Sequence, residues 1–315
     1  MTRWGILSTA RINQKLLAAA AESDDAEVVA VASRDHARAE AYARDHGIPS
    51  AFGSYEALLA DPVVEAVYIS LPNGLHCEWS IRALEAGKHV LCEKPMSARP
   101  EEVEAVFDAA EANDRLCMEA FMWRHNPQTH ALTGLVDDGA IGELRLVRAA
   151  FSFNMTDHDV NVRMRPDLEG GALMDLGCYC ISASRLLCGE PRSATAQQVL
   201  APSGVDARLA ATLSFDGDVL AQLHCAFDLP DFSELVLFGS EGSIQVSDPW
   251  HCRQPGLTLR RGSEVERIAV EPVNSYRLEL ENLGRAIRGD GTPLLGRADA
   301  VGQARTIESI YGLLR

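Results

Sequence analysis

The chain has 315 residues, of which 45 are acidic and 29 basic, for a formal charge of -16. That charge repels nucleic acid and anionic membrane, and no Lys/Arg cluster makes a local exception, so neither is expected as a partner. The length exceeds one typical core and predicts two domains, placed at 1–121 and 122–315.

From Arg3 to Ala120, short apolar runs alternate with helical periodicity. Strands are expected at 4–7, 27–32, 66–71, 89–92 and 116–120, and helices over 12–21, 36–46, 55–60, 78–86 and 100–113. Such alternation implies a parallel sheet with right-handed crossovers. Pro100 followed by Glu101 and Glu102 marks the start of the fifth helix. After Met122 the character changes. A helix over 128–137 precedes alternating runs at 144–153, 193–200, 207–215, 219–227 and 235–239, which read as antiparallel strands. A helical run, 173–187, separates the first two, and helices over 276–288 and 297–314 end the chain. The expected fold class is therefore α/β: an N-terminal Rossmann domain, then an α+β domain on a large, mostly antiparallel open sheet, with a cleft between them.

The eight cysteines lie mostly within apolar runs, and Cys178 and Cys180 have one residue between them, not the two of a redox or zinc pair. Free thiols in a reducing compartment and no metal site are expected. Nothing ahead of the first strand forms a secretory leader, and no apolar run is long enough to span a bilayer, so the expected location is cytoplasmic.

Ser8-Thr9-Ala10-Arg11-Ile12-Asn13 joins the first strand to the first helix, where a dinucleotide fold has G-x-G-x-x-G. Ser8, Ala10 and Asn13 replace all three glycines. Small side chains still permit close approach of pyrophosphate to the backbone of Ser8, Thr9, Ala10, Arg11 and Ile12, although an ordinary strand-to-helix turn fits the same residues. At the end of the second strand, Ser33 stands where an NAD site puts an acid, and Arg34, with Arg38 one turn on, offers guanidinium to a 2'-phosphate. This favours NADP. Asp35 caps the next helix in this reading.

Leu71-Pro72-Asn73-Gly74-Leu75-His76 follows a buried strand; alone, His76 reads as a helix-start residue. Ala86-Gly87-Lys88-His89-Val90-Leu91-Cys92-Glu93-Lys94-Pro95 puts the pair Glu93 and Lys94 at the carboxyl end of a buried strand, the edge where open α/β sheets hold ligands. Within Gly170 to Tyr179, Asp175 and Tyr179 are four residues apart, so one helix face carries both. By themselves they also fit a dipole-complementing acid and an amphipathic core tyrosine. Trp123 can stack on a ring and Arg124 can bind a carboxamide or sugar oxygen, or both can pack a domain junction. His158, Asp159, Asn161 and Arg163 form a polar loop, read as solvated.

The string from Ala86 to Pro95 resembles the AGKHVxxEKP motif of the glucose-fructose oxidoreductase, inositol dehydrogenase and rhizopine catabolism (Gfo/Idh/MocA) family, and Gly170 to Tyr179 resembles its GGxLxDxGxH/Y motif in the tyrosine form. The resemblance covers nearly the whole chain. It implies that Lys94 sits between nicotinamide and substrate, and that Leu71, Pro72, Asn73, His76, Glu93, Trp123 and Arg124 line the cofactor. The glycine-poor first turn is similar to that of the dihydrodiol and NADP-linked sugar dehydrogenases of the family. A free tyrosine, with a pKa near ~10, is a poor base, and a nearby ammonium favours its ionised form. Tyr179 is thus expected as general acid/base, Lys94 as its electrostatic partner and hydroxyl ligand, and Asp175 as a substrate-orienting carboxylate. The activity implied is NADP-dependent hydride transfer at a carbinol carbon of a sugar or cyclic polyol, in particular an aldose 1-dehydrogenase of the D-xylose dehydrogenase kind. Alternatives are a reductase of nucleotide-linked keto-sugars, a trans-dihydrodiol dehydrogenase, a redox-neutral glycosidase or a non-catalytic NADP-binding regulator. A carbohydrate-like small molecule is the expected partner, with a homodimer or homotetramer formed by sheet-face packing.

Overall fold

The computed structural model of the protein describes residues 1–156 and 161–314. Its contacts divide the chain into one unit of Met1–Met122 with Tyr276–Val301 and another of Trp123–Ser275 with Gly302–Arg315.

In the first unit β1 (Thr2–Leu7), β2 (Ala26–Ala32), β3 (Ser50–Phe52), β4 (Ala66–Ile69), β5 (His89–Glu93) and β6 (Cys117–Ala120) form a parallel sheet in the order β3-β2-β1-β4-β5-β6. The connections carry α1 (Asn13–Ala21), α2 (His36–His46), α3 (Tyr55–Leu59), α4 (His76–Glu85) and α5 (Pro100–Ala112). Ile6, Leu7, Val31, Val67, Ile69, Val90 and Leu91 are fully buried, as a sheet covered on both faces requires. The strand order reverses between β1 and β4, so the carboxyl ends of these two strands open the crevice in which such sheets take ligands. Only three half-buried residues make up β3, too short a segment to leave a periodic signal.

In the second unit α6 (Pro127–Asp137) and β7 (Leu144–Asn154) are followed by a π-helical turn, Leu173–Gly177, running directly into α7 (Cys178–Cys188). Then come β8 (Ser193–Leu200), β9 (Asp206–Ser214), β10 (Leu220–Ala226), β11 (Asp228–Gly239), β12 (Ser243–Ser247), β13 (Gly256–Arg261) and β14 (Glu264–Ala269). The sheet order is β14-β13-β12-β11-β7-β10-β9-β8. Its pairs are antiparallel except β10 with β7, which run parallel, so the sheet is mostly antiparallel as expected. Leu209, Leu213, Ala221, Leu223 and Cys225 face the π-turn and α7, while Leu220, Gln222 and Phe232 lie on the exposed face. The strand β14 escapes sequence reading because nearly all its residues are exposed, leaving no apolar alternation.

Two helices complete the chain, α8 (Ser275–Ile287) and α9 (Arg297–Gly312). The expected second domain over 122–315 includes Tyr276–Val301, a segment whose contacts group it with the first unit. Glu281 accepts the Ser23 hydroxyl at 3.0 Å and Arg288 pairs with Asp25 at 3.0 Å, with Leu280 and Leu283 buried. An amphipathic pattern tells which face a helix buries, not which sheet receives it.

All eight cysteines are free, and burial pushes the thiols of Cys188 and Cys252 up to about 12. Among the described residues no group of ligating side chains fits a metal ion, and no helix is long and apolar enough to cross a membrane.

Candidate active site

The loop from Leu7 to Asn13 contains no glycine, yet Ser8 holds φ at 140°, where L side chains are rare. Ser8 Oγ lies 2.7 Å from Ser70 Oγ, Ser70 Oγ donates to Asn13 Oδ1 at 2.6 Å, and Asn13 Nδ2 donates to the Ser8 carbonyl at 3.0 Å. The Ala10 N–H turns inward onto Ser8 Oγ at 3.0 Å. The N–H groups of Asn13, Gln14 and Lys15 close onto the carbonyls of Ala10, Arg11 and Ile12, which leaves those of Thr9, Arg11 and Ile12 without a partner among the described residues. No side chain caps α1 and no acid lies in its first turn. With the exposed Arg11 beside them, these amides suit a pyrophosphate.

At the end of β2, Ser33 is buried and its Oγ accepts the Asp35 N–H at 3.3 Å, while Asp35 Oδ1 caps α2 by accepting from the Arg38 N–H at 3.2 Å. Arg34 and Arg38 are exposed, and among the described residues no carboxylate pairs with either. Both charges reach the Tyr55 phenol, which burial pushes up and the two guanidiniums pull back. Two exposed guanidiniums with no carboxylate partner among the described residues, that of Arg34 hydrogen-bonded to Tyr55, fit a second phosphate group in a chain of charge -16.

Beyond β4, Leu71 and Pro72 lead through the short turn Asn73–Leu75 into α4. His76, expected to face the cofactor, is 1 % exposed, with Nε2 2.8 Å from the Leu71 carbonyl and Nδ1 2.9 Å from that of Pro95. A neutral ring can donate to only one of them. Burial nevertheless outweighs the two carbonyls and, with the Lys94 charge adding to it, holds the pKa at about 4, so His76 is neutral at neutral pH. These two contacts tie the turn after β4 to the turn after β5. Glu93 is also turned inward, accepting the Tyr68 hydroxyl on Oε1 and the Lys94 N–H on Oε2 at 3.2 Å. Half-buried Lys94 therefore stands on a turn held by Glu93 and His76. Its peptide bond to Pro95 is cis.

In the second unit, the Gly170-Gly171 pair answers to crowding. A Cβ on Gly170 would strike the Arg163 carbonyl, and Gly171, at φ 123°, lies against Asp206 Oδ1. Asp206, on β9, is 3 % exposed; its Oδ2 accepts the Leu173 N–H at 2.6 Å and its Oδ1 the Tyr311 hydroxyl at 2.9 Å. Burial pushes this carboxyl up to about 6 against the pull of those donors. From Gly171 to Cys180 only Asp175 and Tyr179 are part-exposed. The Tyr179 ring meets Phe151 edge-on at 5.5 Å and Trp250 at 6.0 Å.

Arg163 Nε donates to Asp175 Oδ2 at 2.5 Å, so Arg163 is not a merely solvated loop residue. Asn161 Oδ1 accepts the Arg163 N–H at 3.1 Å; His158 and Asp159 lie outside the described residues. Trp123, expected as a stacking platform or as packing at a domain junction, is 1 % exposed and packs edge-on against Trp250 at 5.8 Å. Arg124 donates to Ser182 Oγ at 3.3 Å and lies 5.8 Å over the Trp123 ring. Sequence reading misses Ser70, Asp206 and Tyr68 altogether, because each acts on a residue distant in the chain.

A doubly wound sheet with exposed guanidiniums at its ligand edge, in a chain whose second unit carries a part-exposed acid and tyrosine one turn apart, fits the class of NAD(P)-linked oxidoreductases. The chain belongs to the Gfo/Idh/MocA family: residues 2–121 match its oxidoreductase domain with NAD-binding Rossmann fold, and residues 129–245 match its C-terminal domain. It is 40% identical over 314 residues to D-xylose 1-dehydrogenase (NADP(+)) 2 of Haloferax volcanii, covering 98% of this chain and 96% of that one. It is 34% identical over 299 residues to trans-1,2-dihydrobenzene-1,2-diol dehydrogenase of Danio rerio, covering 90% and 88%. Among solved structures, a 3-ketoreductase from Actinomadura kijaniata in complex with NADP and TDP-benzene superposes with a TM-score of 0.92 at 30% identity, covering 99% of this chain and 97% of that one.

Proposed function

We propose that the protein is an NADP-dependent dehydrogenase of CH–OH groups in a sugar or cyclic polyol, and within that class an aldose 1-dehydrogenase. One observation carries this reading. The chain, 40% identical to a D-xylose 1-dehydrogenase over 98% of its length, has Lys94 and the Asp175–Tyr179 pair all part-exposed. Arg34 and Arg38 would hold the 2'-phosphate, and the Ser8 to Ile12 backbone the pyrophosphate. When bound, NADP supplies the acceptor for the hydride that leaves the carbinol carbon. Tyr179 takes the hydroxyl proton, and the Lys94 ammonium stabilises the negative charge growing on that oxygen. Asp175, held by Arg163, orients a neighbouring hydroxyl. The phenol ring packs against Phe151 and Trp250.

The TM-score of 0.92 with the NADP-bound 3-ketoreductase favours a second reading, reduction of a nucleotide-linked keto-sugar. Absorbance at the NADPH band decides between them, with free aldoses, inositols and dihydrodiols tested against NADP and NAD, and keto-sugars tested in reverse. NADPH formation from a free aldose, faster than NADH formation, is expected. Turnover of keto-sugars alone, or release of sugar from a glycoside without net NADPH, would overturn the reading.

The proposal extends to a cytoplasmic homodimer or homotetramer. The exposed sheet face supports it, with Leu220 and Phe232 uncovered and the Phe232 ring parallel to His224 at 6.2 Å.

A further inference from the structure

We infer that Ser70 and Asn13 are positioning residues for the cofactor, closing with Ser8 a ring of hydrogen bonds that takes over the work of the missing glycines. The inference rests on reading the Ser8 to Ile12 turn as the pyrophosphate site.

The direction of each hydrogen bond follows from the chemistry of the groups. Asn13 Oδ1 can only accept, so the single hydroxyl hydrogen of Ser70 points to it across 2.6 Å. The 2.7 Å contact between the two hydroxyls is therefore Ser8 donating to Ser70, and the same hydrogen lies near the Ser70 carbonyl, 3.1 Å from Ser8 Oγ. With its hydrogen used, Ser8 Oγ has lone pairs left for the Ala10 N–H at 3.0 Å. Asn13 Nδ2 returns to the Ser8 carbonyl at 3.0 Å and closes the ring. Reversing the Asn13 amide would set oxygen against oxygen at that point. All three side chains are buried, Asn13 completely, so water does not compete for these bonds.

The ring lies where the strand order reverses. Ser8 follows β1, Ser70 follows β4, and Asn13 begins α1. It holds Ser8 at φ 140°, a conformation that glycine adopts freely and serine does not, and turns the Ala10 amide away from the ligand edge. The amides of Thr9, Arg11 and Ile12 are left pointing to no protein partner among the described residues. Without the ring a serine at this position relaxes to negative φ and the amides scatter.

Titration of NADP and NAD into the whole chain, with melting temperatures recorded alongside, tests this. Ser70→Ala should weaken NADP binding by about 10-fold while keeping the NADP-over-NAD ratio, because the bond lost is one neutral hydrogen bond away from Arg34 and Arg38. Adding Ser8→Gly to Ser70→Ala should restore most of the affinity, since glycine needs no ring to hold that φ. Asn13→Ala opens the ring at a different bond and should show the same loss, so poor folding of one variant leaves the test standing. Wild-type affinity in Ser70→Ala, or no rescue by Ser8→Gly, would overturn the inference. Failure of the wild-type protein itself to bind NADP would instead overturn the reading of the turn, on which the inference depends.

Discussion

Arg163 Nε donates to Asp175 Oδ2 at 2.5 Å, joining a loop residue to the π-turn that precedes Tyr179. The Asp175 side chain is 13% exposed, so losing the Arg163 guanidinium withdraws a charge-assisted bond from a poorly solvated carboxylate. Arg163→Ala and Asp175→Asn are each expected to lower kcat/KM by roughly 10- to 100-fold, and the double variant to be little worse than either. A four-protein kinetic cycle measures the coupling. Fully additive losses would assign the two side chains independent roles.

Arg34→Ala should raise the Kd for NADP by roughly 10- to 100-fold, the worth of a charge-assisted contact, and change that for NAD by less than about twofold. Direct titration of both cofactors into both proteins reads the change. A variant that keeps its discrimination would leave Arg38 as the sole phosphate ligand.

What could be read from sequence, and what could not, follows from distance along the chain. Ala86 to Pro95 is legible because a helix stop, a buried strand and a charged pair fall within one short string. Ser33-Arg34 is legible because a missing carboxylate is itself a signal. Ser8 and Ser70 are 62 residues apart, and Asp206 and Leu173 are 33 apart, so no local pattern announces either contact. His76 shows a different limit. Nothing local announces that both nitrogens of a histidine at a helix start meet carbonyls, here those of Leu71 and Pro95. Trp123 is the same case, since a large ring serves stacking and packing alike and its contact with Trp250 lies far along the chain.

Asp206 gives a pH test in the second unit. Its folded pKa, about 6, lies above the ordinary value of 3.8, so the folded chain holds the proton more tightly than the unfolded one. Stability contributed by the protonated form is full below about pH 4 and is lost as pH rises through about 6. Relative to Asp206→Asn, the wild-type protein should therefore lose about 3 kcal/mol of unfolding free energy between those limits. Chemical denaturation at a series of pH values gives the difference curve. A flat curve would mean that the Leu173 and Tyr311 donors fully compensate the burial.

Tyr179→Phe separates proton transfer from packing. Phenylalanine keeps the ring that meets Phe151 at 5.5 Å and Trp250 at 6.0 Å, so melting temperature and NADP affinity should barely move. Only the hydroxyl is lost, and with it the group proposed to take the substrate proton. The chemical step should slow by roughly 100-fold or more, with kcat and kcat/KM falling together because the missing interaction forms in the transition state. In the oxidative direction the ascending limb of the pH–rate profile should belong to the phenol and vanish in the variant. Lys94→Ala provides the contrast: it keeps the phenol but removes the ammonium, so a slower rate with a surviving, upward-shifted limb is expected. Near-normal turnover of Tyr179→Phe with an unchanged profile would transfer the proton to another acceptor, with Asp175, the other part-exposed residue between Gly171 and Cys180, the next to test by Asp175→Asn under the same titration.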